Sequence, residues 1–526
     1  MRTMSIDAFA LRDAKVLLPF AVGGFAIFFL LQLNVVVAAG ALILVGVLAL
    51  MLRRPELGAA VALFAIYSNI AVLAMRSERA VQTAAGSAGQ NPRIAMVLAA
   101  VSLLLLVPLV HQTMVRRQKL IFDRGFVLML VLVAALLASS FFARDWQIAE
   151  SQVADYLLEG LVPYFLLTNV IRDFSTLKRV TWSLLLAGSL MGGLTLYQRA
   201  THTEEKIYGG LAQMGVDITL SENGQERSLR PVASAEENGQ TRGQLRAAGP
   251  IGEPNRYAQI LLVLLPLAAL TFRMERSRRL QALGLATGAL ILGGLLLTFS
   301  RSAILAGCVL FAMMAYLRLL KPRQVLVSGF GLGVVTLAFA PGVVGRLATL
   351  ENLKSLVLHT DYTYRAPDSS AVHRYVLNSA TWHVFLDHPI LGVGPGHFAE
   401  YYAIPYSNRV GLIETRKKYR GHNLYLETLA ETGVIGFVSL LAIPFVVMRE
   451  LWKEHRSLEQ THPELRNWAG AFFLCLCGYA ITAIFDHLSY QRYFWLLVAV
   501  CSAAARIVRS ERNAQDVKGS FSFQGV

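Results

Sequence analysis

The chain has 526 residues, of which 55% are hydrophobic and only 16% charged, and its mean hydropathy is +0.49. A soluble chain of this size needs a larger polar share to cover its surface, so the composition describes a polytopic membrane protein. The formal charge of +15 would suit a nucleic acid, but the Lys and Arg residues fall mostly in short connections between apolar runs, where the positive-inside rule puts them, which argues against a nucleic-acid partner.

From the N-terminus, Arg2, Arg12 and Lys15 precede a hydrophobic run from Val16 to Leu33, too long for the apolar core of an ordinary signal peptide and therefore read as a retained first span. Runs long enough to cross a bilayer follow near 15–33, 35–52, 57–75, 94–112, 126–143, 152–171, 180–197, 257–272, 280–299, 303–319, 325–341, 433–448, 468–486 and 491–507. The expected fold is an all-α polytopic membrane protein with about 12–14 transmembrane helices. The sixth run holds Asp155 and Glu159, and only Ser300 to Ser302 divide the ninth from the tenth.

Alternate connections differ in basic residues. Arg53 and Arg54; Arg116, Arg117, Lys119 and Arg124; Arg172, Lys178 and Arg179; Arg273, Arg276, Arg278 and Arg279; Arg318, Lys321 and Arg323; and Arg449, Lys453, Arg456 and Arg466 all fall on one side. With the tail residues Arg506, Arg509, Arg512 and Lys518 this puts both termini in the cytoplasm. The opposite face carries two long loops, which escape the charge rule. The chain thus divides into N-terminal spans (1–197), a first outward loop (198–256), central spans (257–341), a second outward loop (342–432), C-terminal spans (433–507) and a cytoplasmic tail (508–526). No internal repeat has a readable period.

The first outward loop is polar and turn-rich from Ser221 to Gly243 and reads as largely mobile. The second contains an amphipathic stretch, Ala371 to His388, with Val372, Leu377, Ala380, Val384 and Phe385 in helical register, which either lies on the membrane surface or caps a cavity. The segment PILGVGPGHF, Pro389 to Phe398, resembles a dinucleotide loop only superficially, since no strand precedes it and no Walker lysine follows. Cys308, Cys475, Cys477 and Cys501 all lie in apolar segments and read as packing residues.

Four outward features carry residues able to do chemistry. LRAAGPIGEPNRY, Leu245 to Tyr257, holds Arg246, Asn255 and Arg256; TFSRSA, Thr298 to Ala303, leaves Arg301 at the outer end of two apolar runs; Arg374 lies in the amphipathic stretch, one turn before Asn378; and GHNLYLETLAETGVIG, Gly421 to Gly436, holds His422. In the last, Leu424, Leu426, Leu429 and Ala430 fall at helical spacing with Asn423, Glu427 and Glu431 on another side, so a short surface helix is expected, N-capped by Gly421 or Asn423. Its N-terminus suits an anion such as phosphate; alternatively His422 simply bonds its neighbours in a capped connector. Gly433 and Gly436 mark a break from which Val434 to Met448 enters the bilayer.

A cation such as Arg301 beside two spans is costly unless it faces a partner or a wet cavity; the competing readings are snorkelling to the headgroups or pairing with Asp155, Glu159 or Asp486. Asp155 and Glu159 share a helix face and are explained equally well by helix-packing ion pairs. Several arginines with one histidine, and no carboxylate and histidine cluster at metal-ligand spacing, point to a polyanionic ligand held without a metal or other cofactor, because guanidinium groups grip phosphate oxygens bidentately. His383 and His388 do not form HExxH, and neither a GxSxG elbow nor another compact nucleophile signature is present.

GHNLYLETLAETGVIG, the upstream HRYVLNSATWHVFLDHPILGVGPGHF, TFSRSA and RAAGPIGEPNRYA, in this order of topology, together resemble the O-antigen ligase and polysaccharide polymerase superfamily of bacterial inner membranes over about Leu245 to Phe437. The resemblance implies a GT-C-like membrane glycosyltransferase of lipopolysaccharide or exopolysaccharide biosynthesis, working at the periplasmic face. Its donor would be an undecaprenyl-pyrophosphate-linked glycan and its acceptor lipid A-core, protein or a growing glycan, with inversion and without metal or nucleotide sugar. On that resemblance His422 looks like the catalytic histidine, and Arg246 and Arg301, with Arg374 added, look like the arginines that hold the pyrophosphate. A reading from another class, a lipid-linked oligosaccharide flippase, would place binding residues near the bilayer midplane and show repeat-like halves, whereas these candidates crowd one face.

Overall fold

Every apolar run that falls within the described residues is helical. The computed structural model describes residues 54, 57–70, 104–220, 226–231, 243–320, 323, 369–409, 420–458, 462–487 and 491–523. The expected spans at 15–33, 35–52 and 325–341 lie outside these residues. The chain divides into two compact units, Met1–Gly58 and Ala59–Val526, and the architecture below is that of the second.

Its helices are α1 (Gly58–Tyr67), α2 (Leu106–Val110), α3 (Arg124–Ser140), α4 (Trp146–Tyr156), α5 (Val162–Val170), α6 (Phe174–Ala200), α7 (Pro254–Leu262), α8 (Leu265–Met274), α9 (Arg278–Leu296), α10 (Arg301–Tyr316), α11 (Ser369–Asp387), α12 (Ala403–Arg409), α13 (Leu424–Ser457), α14 (Pro463–Thr482) and α15 (Gln491–Phe523). Five stretches among the described residues are long and apolar enough to cross a membrane: Phe174–Ala200, Pro254–Met274, Arg278–Leu296, Leu424–Ser457 and Gln491–Asp516. The protein is therefore an all-α polytopic membrane protein with a small sheet attached. Local chemistry sets the helix starts: Asp123, Asp173, Glu253, Ser300 and Asn423 each accept a backbone N–H of the first turn, contacts worth about 1 kcal/mol apiece. Trp495, Tyr164, Tyr257 and Phe472 are fully buried in the main core between helices.

Within this core, Glu159 in the π-turn Leu157–Leu161 pairs with Arg492 of α15 at 3.6 Å. Arg492 also donates to Asn69 Oδ1 at 2.9 Å, and the Asn69 amide donates to the Pro250 carbonyl at 2.9 Å. The helix-packing alternative for Glu159 is thus the one observed, and removing either member of such a pair would cost about 3–5 kcal/mol. At one end of the helices, Arg509 and Arg512 hold the fully buried Glu454 at 3.0 and 2.7 Å, and Arg506 donates to the carbonyls of Thr168 and Ile171.

Between α6 and α7 the chain forms a three-stranded antiparallel sheet of β1 (Met214–Leu220), β2 (Glu226–Pro231) and β3 (Gly243–Ala247) in the order β2-β1-β3. Within the stretch 221–243, expected to be largely mobile, residues 226–231 form β2, paired with β1 so that Leu220 lies opposite Glu226; residues 221–225 and 232–242 lie outside the described residues.

α13 is two helices joined at Gly433, whose φ of 63° and ψ of −169° interrupt the helical run. PILGVGPGHF satisfies the break: the N–H groups of Val393 and Gly394 donate to the carbonyls of Ala430 and Glu431 at 3.1 and 2.9 Å, and Val434 N–H donates to the Pro389 carbonyl at 2.9 Å. Ser139 of α3 adds a bond to the Glu431 carbonyl at 2.8 Å. The glycine-rich segment is therefore the clamp of a helix kink. It also corrects the expected surface helix. The segment 424–432 is covered by this loop and by α11; Glu427 is buried and the Glu431 carboxylate accepts the Phe398 N–H at 3.2 Å.

Candidate functional site

The site is assembled where β3, the α9–α10 turn, α11, the His422 loop and the α14–α15 connection come together. Strand pairing places Arg246 opposite Gly215, and the end of β3 docks on the α9–α10 turn, with Ala247 N–H donating to the Leu297 carbonyl at 2.9 Å. The Arg246 side chain is fixed in the same way: Nε donates to the Thr298 carbonyl at 2.9 Å and Nη2 to Asn255 Oδ1 at 3.1 Å. Two of the sequence motifs, RAAGPIGEPNRYA and TFSRSA, thus meet through this one guanidinium group. Arg301, half-buried, is the first residue of α10, three positions beyond the carbonyl that Arg246 grips.

Glu253 caps α7 by accepting from the N–H groups of Asn255 and Arg256. This turns the Arg256 side chain inward, where it is only 3% exposed. α7 is tied to the end of α14 by Gln259 Nε2, which donates to Thr482 Oγ1 at 2.7 Å.

Asn423 is the N-cap of α13, its side chain accepting from Tyr425 and Leu426 N–H at 3.0 and 3.2 Å. His422 lies one residue before the cap and is half-buried. Leu424 N–H, which the helix cannot satisfy, donates to the carbonyls of Asp486 and Ala483 at 2.7 and 3.0 Å. Tyr425 Oη donates to the Ala480 carbonyl at 2.7 Å. The His422 loop is thereby seated on the end of α14. Just upstream, Arg420 lies 3.7 Å from the carboxylate of Glu427.

The predicted run 468–486 is shorter as a helix: α14 ends at Thr482, leaving Asp486 and His487 in the connection to α15. Asp486 is buried. Burial pushes its carboxyl up to about 7, against the pull of Arg256, and Arg374 and Arg246 also draw it down. His422 and His487 face each other with ring centroids 6.1 Å apart. Burial, then Arg256 and Arg420, hold His487 well below the usual imidazole range.

Of the residues singled out from sequence, Arg246 and Arg374 share the field around Asp486, and His422 adjoins that group through His487. Arg301 is joined to them along the chain through the α9–α10 turn. Sequence reasoning weighed Asp486 only as a partner for Arg301 and passed over His487. The signal was present: an Asp-His pair at the outer end of an apolar run is as unusual as an arginine there. His397, by contrast, holds the clamp loop together, its Nε2 accepting the Asp145 N–H and its Nδ1 donating to the Pro395 carbonyl, both at 3.0 Å. Among the described residues no group of three or more His, Cys, Asp or Glu side chains is placed to hold a metal.

What the arrangement can do chemically follows from its charges. Fixed guanidinium groups suit a phosphate-bearing ligand, and a half-buried imidazole beside them suits proton transfer. Comparison with known proteins gives two likenesses. Residues 257–441 match the family described as O-Antigen ligase. The chain is also 24% identical over 244 residues to the teichuronic acid biosynthesis protein TuaE of Bacillus subtilis (strain 168), a match covering 44% of this chain and 46% of that protein. The chain thus spans less than half the length of that relative.

Proposed function

We propose that this chain, which belongs to the O-antigen ligase and polysaccharide polymerase superfamily, transfers a glycan from an undecaprenyl-pyrophosphate-linked donor to an acceptor hydroxyl at the periplasmic face of the bacterial inner membrane. The observation that carries this reading is the seating of the His422 loop on the α14–α15 connection, where the buried Asp486 carboxyl feels the charges of Arg256, Arg374 and Arg246. In the proposed reaction the acceptor oxygen attacks the anomeric carbon, the bond from that carbon to the pyrophosphate oxygen breaks with inversion, and lipid pyrophosphate departs with the electron pair. His422 takes the hydroxyl proton, while Arg246, Arg301 and Arg374 offset the charge growing on the leaving group. This chemistry needs no metal.

Two acceptor classes remain within this reading. A ligase delivers the glycan to lipid A-core or protein, and a polymerase extends another lipid-linked chain. The likeness to a protein named for teichuronic acid biosynthesis favours keeping the polymerase beside the ligase. Purified protein in lipid, given a lipid-pyrophosphate-linked repeat unit with and without lipid A-core, tests both. A ladder still attached to lipid pyrophosphate identifies a polymerase, single transfer requiring the second acceptor identifies a ligase, and intact donor in both arms refutes the proposal. A flippase has less support, since its binding residues belong near the midplane.

The arginines give a conservative test. Arg301→Lys is expected to weaken donor binding about tenfold or more, because an ammonium cannot hold two phosphate oxygens in one plane; unchanged donor affinity would reduce Arg301 to a structural anchor.

Asp486 adds a pH dependence. Below about 7 its carboxyl is neutral and leaves the charge of the surrounding guanidinium groups to the donor; above about 7 the carboxylate competes with the pyrophosphate. Donor affinity is therefore expected to fall as pH rises through that value and to become flat in Asp486→Asn, as read by donor titration at a series of pH values. An identical pH dependence in the variant would dissociate Asp486 from the site.

A further inference from the structure

The imidazole of His422 has a second imidazole against it, and the backbone fixes their relation. The Ala483 N–H donates to the Tyr479 carbonyl at 2.9 Å, which holds the start of the connection to the last turn of α14. The carbonyls of Ala483 and Asp486 then both accept the Leu424 N–H. His422 lies two residues before that N–H, and His487 lies one residue after the second carbonyl, so the chain segments bearing the two rings are bonded to each other directly. The rings, each half-buried, are 6.1 Å apart between centroids with planes at 57°.

We propose that His487 is a positioning residue of the transfer site, its ring backing the imidazole of His422 and holding it in the orientation that meets the acceptor hydroxyl. This rests on the assignment of His422 as the proton acceptor. A half-buried side chain on a loop has free rotamers unless something fills the space behind it, and misplacing a reacting group by about 1 Å can cost about a hundredfold in rate.

The charges around the pair are consistent with this division of labour. Arg256 of α7 and Arg420 from the residues preceding the loop act on His487 together with His422 itself. Asp486 is its chain neighbour, and Glu427 of α13 pairs with Arg420. Burial and the two guanidinium groups disfavour the imidazolium form of His487. A neutral ring behind His422 adds no positive charge where a proton must be accepted, whereas a charged one would oppose that step.

Steady-state kinetics of His487→Ala and His487→Phe, with His422→Ala alongside, test the proposal. His487→Ala should lower kcat by about ten- to a hundredfold with the donor KM unchanged within about twofold, and His487→Phe, which keeps a flat ring in the space, should recover kcat to within about threefold of wild type. Comparing thermal midpoints separates a mispositioned base from an unfolded chain, and the ring-filling Phe variant remains informative if the Ala variant does not fold. Wild-type kcat in His487→Ala, a loss confined to KM, or a folded Phe variant no better than Ala would overturn it. Activity retained in His422→Ala would instead overturn the underlying assignment, whereas an inactive His422→Ala beside a wild-type-like His487→Ala would sink this inference alone.

Discussion

His422→Ala is expected to abolish glycan transfer while leaving the protein folded and able to bind its donor. Loss of a positioned general base costs about 100- to 10,000-fold, enough to remove detectable product from a slow membrane enzyme. The fold should survive because the loop is seated by backbone and side-chain bonds of its neighbours. Asn423 still caps α13 through Tyr425 and Leu426 N–H, Leu424 N–H still reaches the α14–α15 connection, and Arg420 still faces Glu427. Donor affinity should also persist, since the proposed grip on pyrophosphate comes from arginines. The check is product formation together with donor binding on the same purified variant. Product at the wild-type rate from a correctly inserted variant would remove His422 from the chemistry.

Gly433→Ala is expected to lower stability by about 2–6 kcal/mol and to lose transfer with it, from two costs that add. The φ of 63° with ψ of −169° lies in a region that side-chain-bearing residues essentially do not enter, worth about 1–3 kcal/mol. A Cβ at this position would also lie 2.2 Å from the Ile390 carbonyl oxygen and 2.5 Å from the Leu391 nitrogen. Those are backbone atoms of the clamp loop, so nothing flexible can yield, and overpacking adds about 1–3 kcal/mol. The consequence reaches the site because the nine residues from 424 to 432, which follow the Asn423 cap and seat the His422 loop, lie on the far side of the kink. Gly252→Ala makes the control: its φ is 81°, but the nearest atom to a new Cβ is 3.5 Å away, so strain alone applies. Thermal unfolding in detergent should show a large drop for Gly433→Ala and a smaller one for Gly252→Ala; equal midpoints would mean that the clamp does not hold the kink.

The helices were legible because apolar runs and an asymmetric distribution of Lys and Arg leave a signal in the local sequence. Arg301 drew attention because a charged residue at the outer end of an apolar run is costly unless used, whereas the roles expected of Arg246 and His422 came from the resemblance. What the local pattern could not carry was pairing between distant segments. Arg246 with Thr298, and Leu424 with Asp486, are contacts between positions far apart in the chain that have no period to read. Glu427 and Glu431 illustrate the same limit. Their spacing marks a polar helix side, yet PILGVGPGHF and α11 cover it, so both carboxylates are engaged inside the fold. The sheet was not legible because its strands lie in a polar, turn-rich stretch, and a pairing such as Gly215 with Arg246 joins positions far apart in the chain.

The central claim is that one phosphate-holding site is built from Arg246, Arg301 and Arg374 beside His422. Photo-crosslinking tests it most directly, using a lipid-linked pyrophosphate that carries its reactive group next to the phosphates, bound to purified protein and mapped by peptide. The account predicts capture in the segments 245–257, 298–303, 374–378 and 420–424, suppressed by excess unlabelled donor. Capture concentrated at the opposite end of the helices, around Arg172, Arg506 and Arg509, and competed by the same donor, would contradict it.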